Sequence, residues 1–168
     1  MKIPELDEKL FPIVCTQPRK VSTMKIAKRV SEETKLVYEE EVYPLYNILK
    51  LNNFEKIKKK SKFIFINETL LLFLLIKDPL LTNIHILILD EAHERTVNLD
   101  IILFLLRNYT LRKRKDLKLI ITSATIEPTQ IMNYLSHYKP SVINCVTPNK
   151  KISFVYYNQP SICKNQLI

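Results

Sequence analysis

The 168-residue chain contains no glycine. Soluble proteins carry about 7% glycine, so roughly a dozen would be usual at this length. A Walker-type phosphate loop needs glycines to bring backbone N–H groups against phosphate oxygens, so none can be written within these residues. Left-handed helix ends, which glycine ordinarily supplies, must fall elsewhere, and Asn52, Asn83 and Asn108 are the expected positions. Cysteine is scarce: Cys15, Cys145 and Cys163 are an odd number without metal-ligand spacing or a preceding secretory signal, which reads as a reduced, intracellular chain. Long hydrophobic runs are lacking too. The longest strictly apolar stretch, Leu70 to Ile76, is far below the roughly 20 residues that cross a bilayer, so no membrane-spanning segment is expected.

Acidic residues are in deficit, with 26 Lys and Arg against 17 Asp and Glu, a formal charge of +9 and a pI near 9.4. That balance suits a polyanion such as RNA, and it also occurs in lysine-rich proteins with no such partner. Apolar runs of strand length alternate with helical patterns, which predicts an α/β fold on a mainly parallel sheet. Strands are expected at Phe11 to Thr16, Lys62 to Asn67, His85 to Asp90, Lys118 to Ser123 and Val142 to Val146, with Ser153 to Tyr157 an edge or a connection. Val21, Met24, Ala27 and Val30 share one helical face, as do Ile131, Tyr134, Leu135 and Tyr138, and Pro128 fits a first helical turn. The stretch from Leu99 to Leu106 is apolar nearly all round, so its helix must be buried on several sides or meet a partner, and a basic turn follows from Asn108 to Lys118. No repeat or linker divides the chain, whose length suits one domain.

The chemistry concentrates where Ile84-His85-Ile86-Leu87-Ile88-Leu89 runs into Asp90-Glu91-Ala92-His93. An acidic pair at the carboxyl end of a buried strand is where an α/β nucleotide hydrolase holds its metal ion and attacking water. An ordinary acidic turn would read the same, but Glu94-Arg95-Thr96 continues the run and Ser123-Ala124-Thr125 ends another apolar strand.

With these partners the chain resembles the DEAH-box RNA helicases. Ile13-Val14-Cys15-Thr16-Gln17-Pro18-Arg19-Lys20, Leu87 through Thr96, and Lys118 through Thr125 resemble that family's motifs Ia, II and III in order. Lys2-Ile3-Pro4-Glu5-Leu6 resembles the segment that follows the family's phosphate loop. The resemblance implies a RecA-like, P-loop NTPase type fold, with helices on both faces of the sheet and the phosphate-loop strand missing beside the motif III strand. Residues 1–168 then form a single partial ATP-binding lobe, with no second lobe and an unpaired sheet edge.

The resemblance also implies roles. Asp90 and Glu91 would hold Mg²⁺ and ATP, with Glu91 activating the attacking water; His93, Glu94 and Arg95 would link that site to motif III and a second lobe; Ser123 and Thr125 would report the nucleotide state. The plainer readings are a surface ion pair for Glu94 and Arg95 and a helix cap for Ser123 and Thr125. Thr16, Gln17, Pro18, Arg19 and Lys20 would read the backbone of single-stranded RNA. Asn67-Glu68-Thr69 stands at motif Ib, with Phe73 at the position of a family arginine, and Thr147-Pro148-Asn149-Lys150 replaces a glycine-arginine turn. Lys56, Lys58, Lys59, Lys60 and Lys62 add phosphate contacts or simply form a solvated face. Three functions are compatible with this: part of an ATP-dependent RNA helicase acting in nuclear RNA processing, with another polypeptide supplying the phosphate loop or second lobe; a non-catalytic RNA- or partner-binding module; and a decaying remnant.

Overall fold

The computed structural model describes residues 11–82, 84–124 and 129–145. Its strands are β1 Ile13–Gln17, β2 Val42–Leu45, β3 Phe63–Asn67, β4 Ile86–Leu89 and β5 Lys118–Ile121. They form one sheet in the order β2-β3-β1-β4-β5, and every pair is parallel. Every residue of β1 is buried, as expected for the central strand of a parallel sheet covered on both faces. The helices are α1 Lys20–Thr34, α2 Phe54–Lys60, α3 Glu68–Lys77, α4 Val97–Leu105, α5 Leu111–Lys113 and α6 Thr129–Tyr134.

Strand alternation divides the core. Val14, Ile64, Ile66, Leu87 and Leu89 point to one face and pack with Leu71 and Leu75 of α3 and Leu99 and Ile102 of α4. Cys15 and Phe65 point to the other, with Val42 and Ala27 of α1. Deleting one of the fully buried aliphatic side chains to Ala would cost about 2–5 kcal/mol. Arg114 fastens the entry to β4, donating from Nη1 to the Leu80 and Leu81 carbonyls and from Nη2 to that of Ile84, each at 2.9 Å.

Several expectations change. β2 was not foreseen. Val21 and Met24 are 62% and 40% exposed, because α1 lies on the sheet through Thr23, Ala27 and Ser31, whose small side chains let the helix approach closely. Ile131, Tyr134, Leu135 and Tyr138 do pack on the core. α4 buries Leu99, Ile102 and Leu103 but leaves Val97, Ile101 and Phe104 exposed in a stripe, and instead of a basic turn it continues through a π-helical turn, Leu106–Thr110, into α5. Residues 142–145 form no strand, and Val142 and Ile143 are exposed. Val146, Pro128, Thr147 to Lys150 and Ser153 to Tyr157 lie outside the described residues.

Left-handed backbone falls on Lys35, Glu39, Leu81, Glu91, Arg95 and Lys139, not on Asn52 or Asn108, while Asn83 lies outside the described residues. Lys35 ends α1 in that conformation. Leu81 adopts it while its side chain is almost fully buried, so core packing offsets a local cost of about 1–2 kcal/mol.

Candidate functional site

Asp90 follows β4 where the carboxyl ends of β1, β4 and β5 converge. Its N–H donates to Thr16 Oγ1 at 3.2 Å, and that hydroxyl donates to the Ile88 carbonyl at 3.4 Å. Its Oδ2 accepts from Gln17 Nε2 at 2.5 Å, while Oδ1 accepts from the Glu91 N–H at 3.0 Å and from the Thr122 hydroxyl. One carboxylate therefore ties three strand ends together.

Glu91 leaves the strand abruptly, with φ 56° and ψ 39°. A left-handed non-glycine residue costs about 1–3 kcal/mol and recurs at functional sites. The turn that follows, Ala92–Glu94, is held by the buried Ala92, whose N–H donates to the Thr122 carbonyl at 2.9 Å, and it closes with Arg95 left-handed as well. The Glu91 side chain is 42% exposed, and its Oε2 lies 3.3 Å from His93 Nδ1. The Ala124 N–H also reaches His93 Nδ1, at 3.4 Å. One ring nitrogen can donate to Glu91 or accept from Ala124, not both at once, so His93 has two alternative partners. Ser123 is exposed beside it, and Thr125 lies outside the described residues.

Glu94 and Arg95 do not pair with each other. Glu94 Oε1 lies 3.8 Å from Arg19 Nη2, whereas Arg95 grips Asp100 through Nε at 3.0 Å and Nη2 at 3.2 Å. Thr96 caps α4, accepting from the Leu99 N–H at 3.1 Å, and its hydroxyl donates to Glu68 Oε2.

The residues expected to read RNA divide sharply. Arg19 and Lys20 are exposed at the start of α1, Pro18 is half-buried, and Thr69 is exposed, accepting from Asn98 Nδ2 at 3.2 Å. Thr16 and Gln17 are buried and turned toward β4, so their side chains serve Asp90 and not a surface. Asn67 is buried as the cap of α3, accepting from the Leu70 N–H at 3.1 Å, and Glu68 is buried against Thr96.

No family model matches the chain. It is 39% identical over 149 residues to the pre-mRNA-splicing factor ATP-dependent RNA helicase prp22 of Schizosaccharomyces pombe, covering 88% of this chain and 12% of that protein. It is 42% identical over 123 residues to the chloroplastic ATP-dependent RNA helicase DEAH11 of Arabidopsis thaliana, and 41% identical over 122 residues to the same plant's DEAH12. Each of those alignments covers 73% of this chain and 7% of the relative. The chain belongs to the DEAH-box helicase family. It spans only 7–12% of the length of these relatives, and its parallel sheet with helices on both faces is a RecA-like α/β fold.

For a DEAH-box site the fit of Mg²⁺ is decided by the donor set. Asp90 already accepts three hydrogen bonds, Glu91 is the adjacent carboxylate, and no group of three or more His, Cys, Asp or Glu able to hold a metal ion occurs among the described residues. Such a pair suits Mg²⁺ that arrives with phosphate oxygens and keeps its waters, and does not suit a metal site of the chain's own. Thr122 was not foreseen at this site, and Gln17, expected to read RNA, donates its amide to Asp90. The parallel register was the available signal: Leu89 opposite Ile121 puts Thr122 beside Asp90, and Thr16 opposite Leu89 brings Gln17 there too.

Proposed function

We propose that this chain is the motif Ia, II and III region of an ATP-dependent RNA helicase, a single partial lobe whose phosphate loop and second lobe are supplied by residues outside these 168. The observation that carries the reading is Asp90, fixed by Gln17, Thr122 and the Glu91 N–H, with the half-exposed Glu91 carboxylate beside it. Asp90 would hold Mg²⁺ through water, and the ion when bound would neutralise charge on the phosphate oxygens. Glu91, turned outward by its left-handed backbone, would orient and deprotonate the attacking water. His93 would pass the state of Glu91 to the motif III segment by exchanging Glu91 Oε2 for the Ala124 N–H. Arg19 and Lys20 would hold RNA phosphates. RNA processing inside the nucleus is the role we assign by likeness to the splicing helicase. No described helix is long and apolar enough to cross a membrane.

A second reading, a non-catalytic RNA- or partner-binding module, is favoured by the total lack of glycine. RNA-stimulated ATP hydrolysis separates the two. The 168-residue chain alone should show none, since an arginine finger of the second lobe is itself worth about 10³ to 10⁵ in related hydrolases. Joined to a family phosphate loop and second lobe it should hydrolyse ATP, and Glu91→Gln should abolish this. A reconstituted protein that binds RNA without turnover would establish the second reading.

A further inference from the structure

Basic-directed protein kinases choose a serine by the cations two and three positions before it, which pair with acidic groups of the kinase cleft. Four serines of this chain meet that pattern: Ser22 after Arg19 and Lys20, Ser31 after Lys28 and Arg29, Ser61 after Lys58 and Lys59, and Ser153 after Lys150 and Lys151. Sequence ranks them equally, but the fold does not. Ser31 is 8% exposed and donates its hydroxyl to the Leu36 carbonyl at 2.6 Å, and Ser61 is 4% exposed and donates to that of Glu40 at 2.7 Å. Thr23, beside Ser22, is fully buried and donates to the Arg19 carbonyl at 3.1 Å. Ser22 is only half-buried, and its hydroxyl makes no hydrogen bond among the described residues. Ser153 lies outside the described residues.

A kinase reads an extended segment, and presenting Ser22 in that form asks little of the backbone. Arg19 is already extended, with φ −122° and ψ 142°, and α1 starts after it with no side-chain cap. Lys20 is exposed and Val21 is 62% exposed, so no core contact holds the residues before Ser22, and helix ends of this kind open locally at low cost. The surroundings also suit the product. A phosphoserine carries about −1.5 to −2 charges at neutral pH and forms charge-assisted bonds beside basic side chains. Ser22 stands between Arg19, three residues before it, and Lys25, three residues after it, both exposed, and no acidic residue occurs from Lys9 to Ser31. Glu94 meets Arg19 only at 3.8 Å, so a phosphate on Ser22 would compete for that guanidinium with the larger charge.

We propose that Ser22 is a phosphorylation site whose phosphate takes Arg19 and Lys20 away from RNA. A basic-directed protein kinase transfers the γ-phosphoryl group of ATP: the bond from Ser22 Oγ to phosphorus forms, the bond to the ADP oxygen breaks, and the hydroxyl proton passes to the catalytic aspartate of the kinase. The effect on RNA rests on the RNA reading given above, and the modification itself does not. In the test, the full chain carrying Ser153→Ala is incubated with Mg-ATP and the catalytic subunit of cyclic-AMP-dependent protein kinase. Peptide mass spectrometry locates the phosphate, and a labelled ten-nucleotide single-stranded RNA is titrated at four salt concentrations. Phosphate is expected on Ser22 and not on Ser31 or Ser61. RNA binding should weaken, and the slope of log K against log salt should flatten by about 0.7 to 1.4, the loss of one or two phosphate contacts. With Ser22→Ala added, the chain should bind RNA equally well before and after kinase treatment. No phosphate on Ser22, or preferential labelling of Ser31 or Ser61, would overturn the site. A phosphorylated Ser22 with unchanged RNA affinity would overturn the switch and leave the RNA reading standing. Absence of RNA binding by the unphosphorylated chain at low salt would overturn that reading and the switch with it, while the phosphate map still decides the site.

Discussion

A carboxyl group as enclosed as Glu68 must be matched by hydrogen-bond donors or lose its charge, and only Oε2 has found one, the Thr96 hydroxyl. Oε1 has no partner among the described residues. Burial, and then the charges of Glu94 and Asp100, raise its pKa above the ordinary 4.5, while the Thr96 bond opposes them. A raised folded-state value means that the folded chain binds the extra proton. The stability this group contributes is therefore complete below the unfolded carboxyl range and is lost as pH rises through the raised value. Urea denaturation at a series of pH values should show that loss in the parent, and Glu68→Gln should flatten it; identical slopes would mean Glu68 is not the group responsible. Asp90 is the contrast, since three donors meet its oxygens. Cys15 sits close by, and burial first, then the Asp90 charge, push its thiol up to about 12. It is a core residue and no nucleophile. The sequence named Asp90, Glu91 and His93 because motif II is contiguous. It could not separate inward from outward side chains in motif Ia, where Gln17 and Arg19 are two residues apart and face a carboxylate and solvent respectively.

Elements were legible wherever the apolar run was continuous. β1, β3, β4 and β5 match the expected runs within a residue or two at each end. β2 escaped because Tyr43-Pro44 breaks the pattern, and proline, lacking an N–H, is tolerated on an outer strand, which is where β2 lies. The opposite edge is the more consequential. Among the described residues β5 is the last strand in the order, its burial alternates between half-buried and exposed, and Ile120 is 46% exposed. Opposite Ile120 in register, Ile88 is only half-buried, on the face that α1 covers farther along the sheet. A phosphate-loop strand joining the sheet beside β5 would cover Ile120, in keeping with the function proposed above. The Lys118 N–H donates to the His85 carbonyl and that of Thr122 to the Leu89 carbonyl, so by alternation the Leu119 and Ile121 N–H groups face the open edge. Amide exchange in dilute solution should leave Leu119 and Ile121 scarcely protected while Val14 and Thr16 exchange only on global unfolding. Adding the missing segment should protect both; strong protection in the monomeric chain without it would show that the edge is already covered.

The net charge of +9 is a property of the whole molecule, but its useful part is local. Within the lysine run, Lys58 is buried, paired with Glu55 at 2.8 Å and set over the Phe54 ring, and Lys62 meets Glu41 at 2.9 Å. Lys56, Lys59 and Lys60 remain exposed on a helix away from the motif residues, which suits a solvated face. Arg19 is 75% exposed, with only a long contact to Glu94, and the exposed Lys20 follows it at the start of α1. Exposed ion pairs of that kind are worth about 0–1 kcal/mol, so Glu94 does not prevent Arg19 from meeting a phosphate. Binding to single-stranded RNA should accordingly be sequence-tolerant and salt-dependent, with log K falling at about 0.7 per phosphate neutralised. Replacing Arg19 and Lys20 together with Ala should flatten that slope by roughly one to two units. If the lysine run carried the binding, replacing Lys56, Lys59 and Lys60 would flatten the slope and the Arg19 and Lys20 variant would leave it unchanged. Anisotropy titrations of both variants against one short single strand at four salt concentrations distinguish a charge placed by motif Ia from a charge spread over the surface.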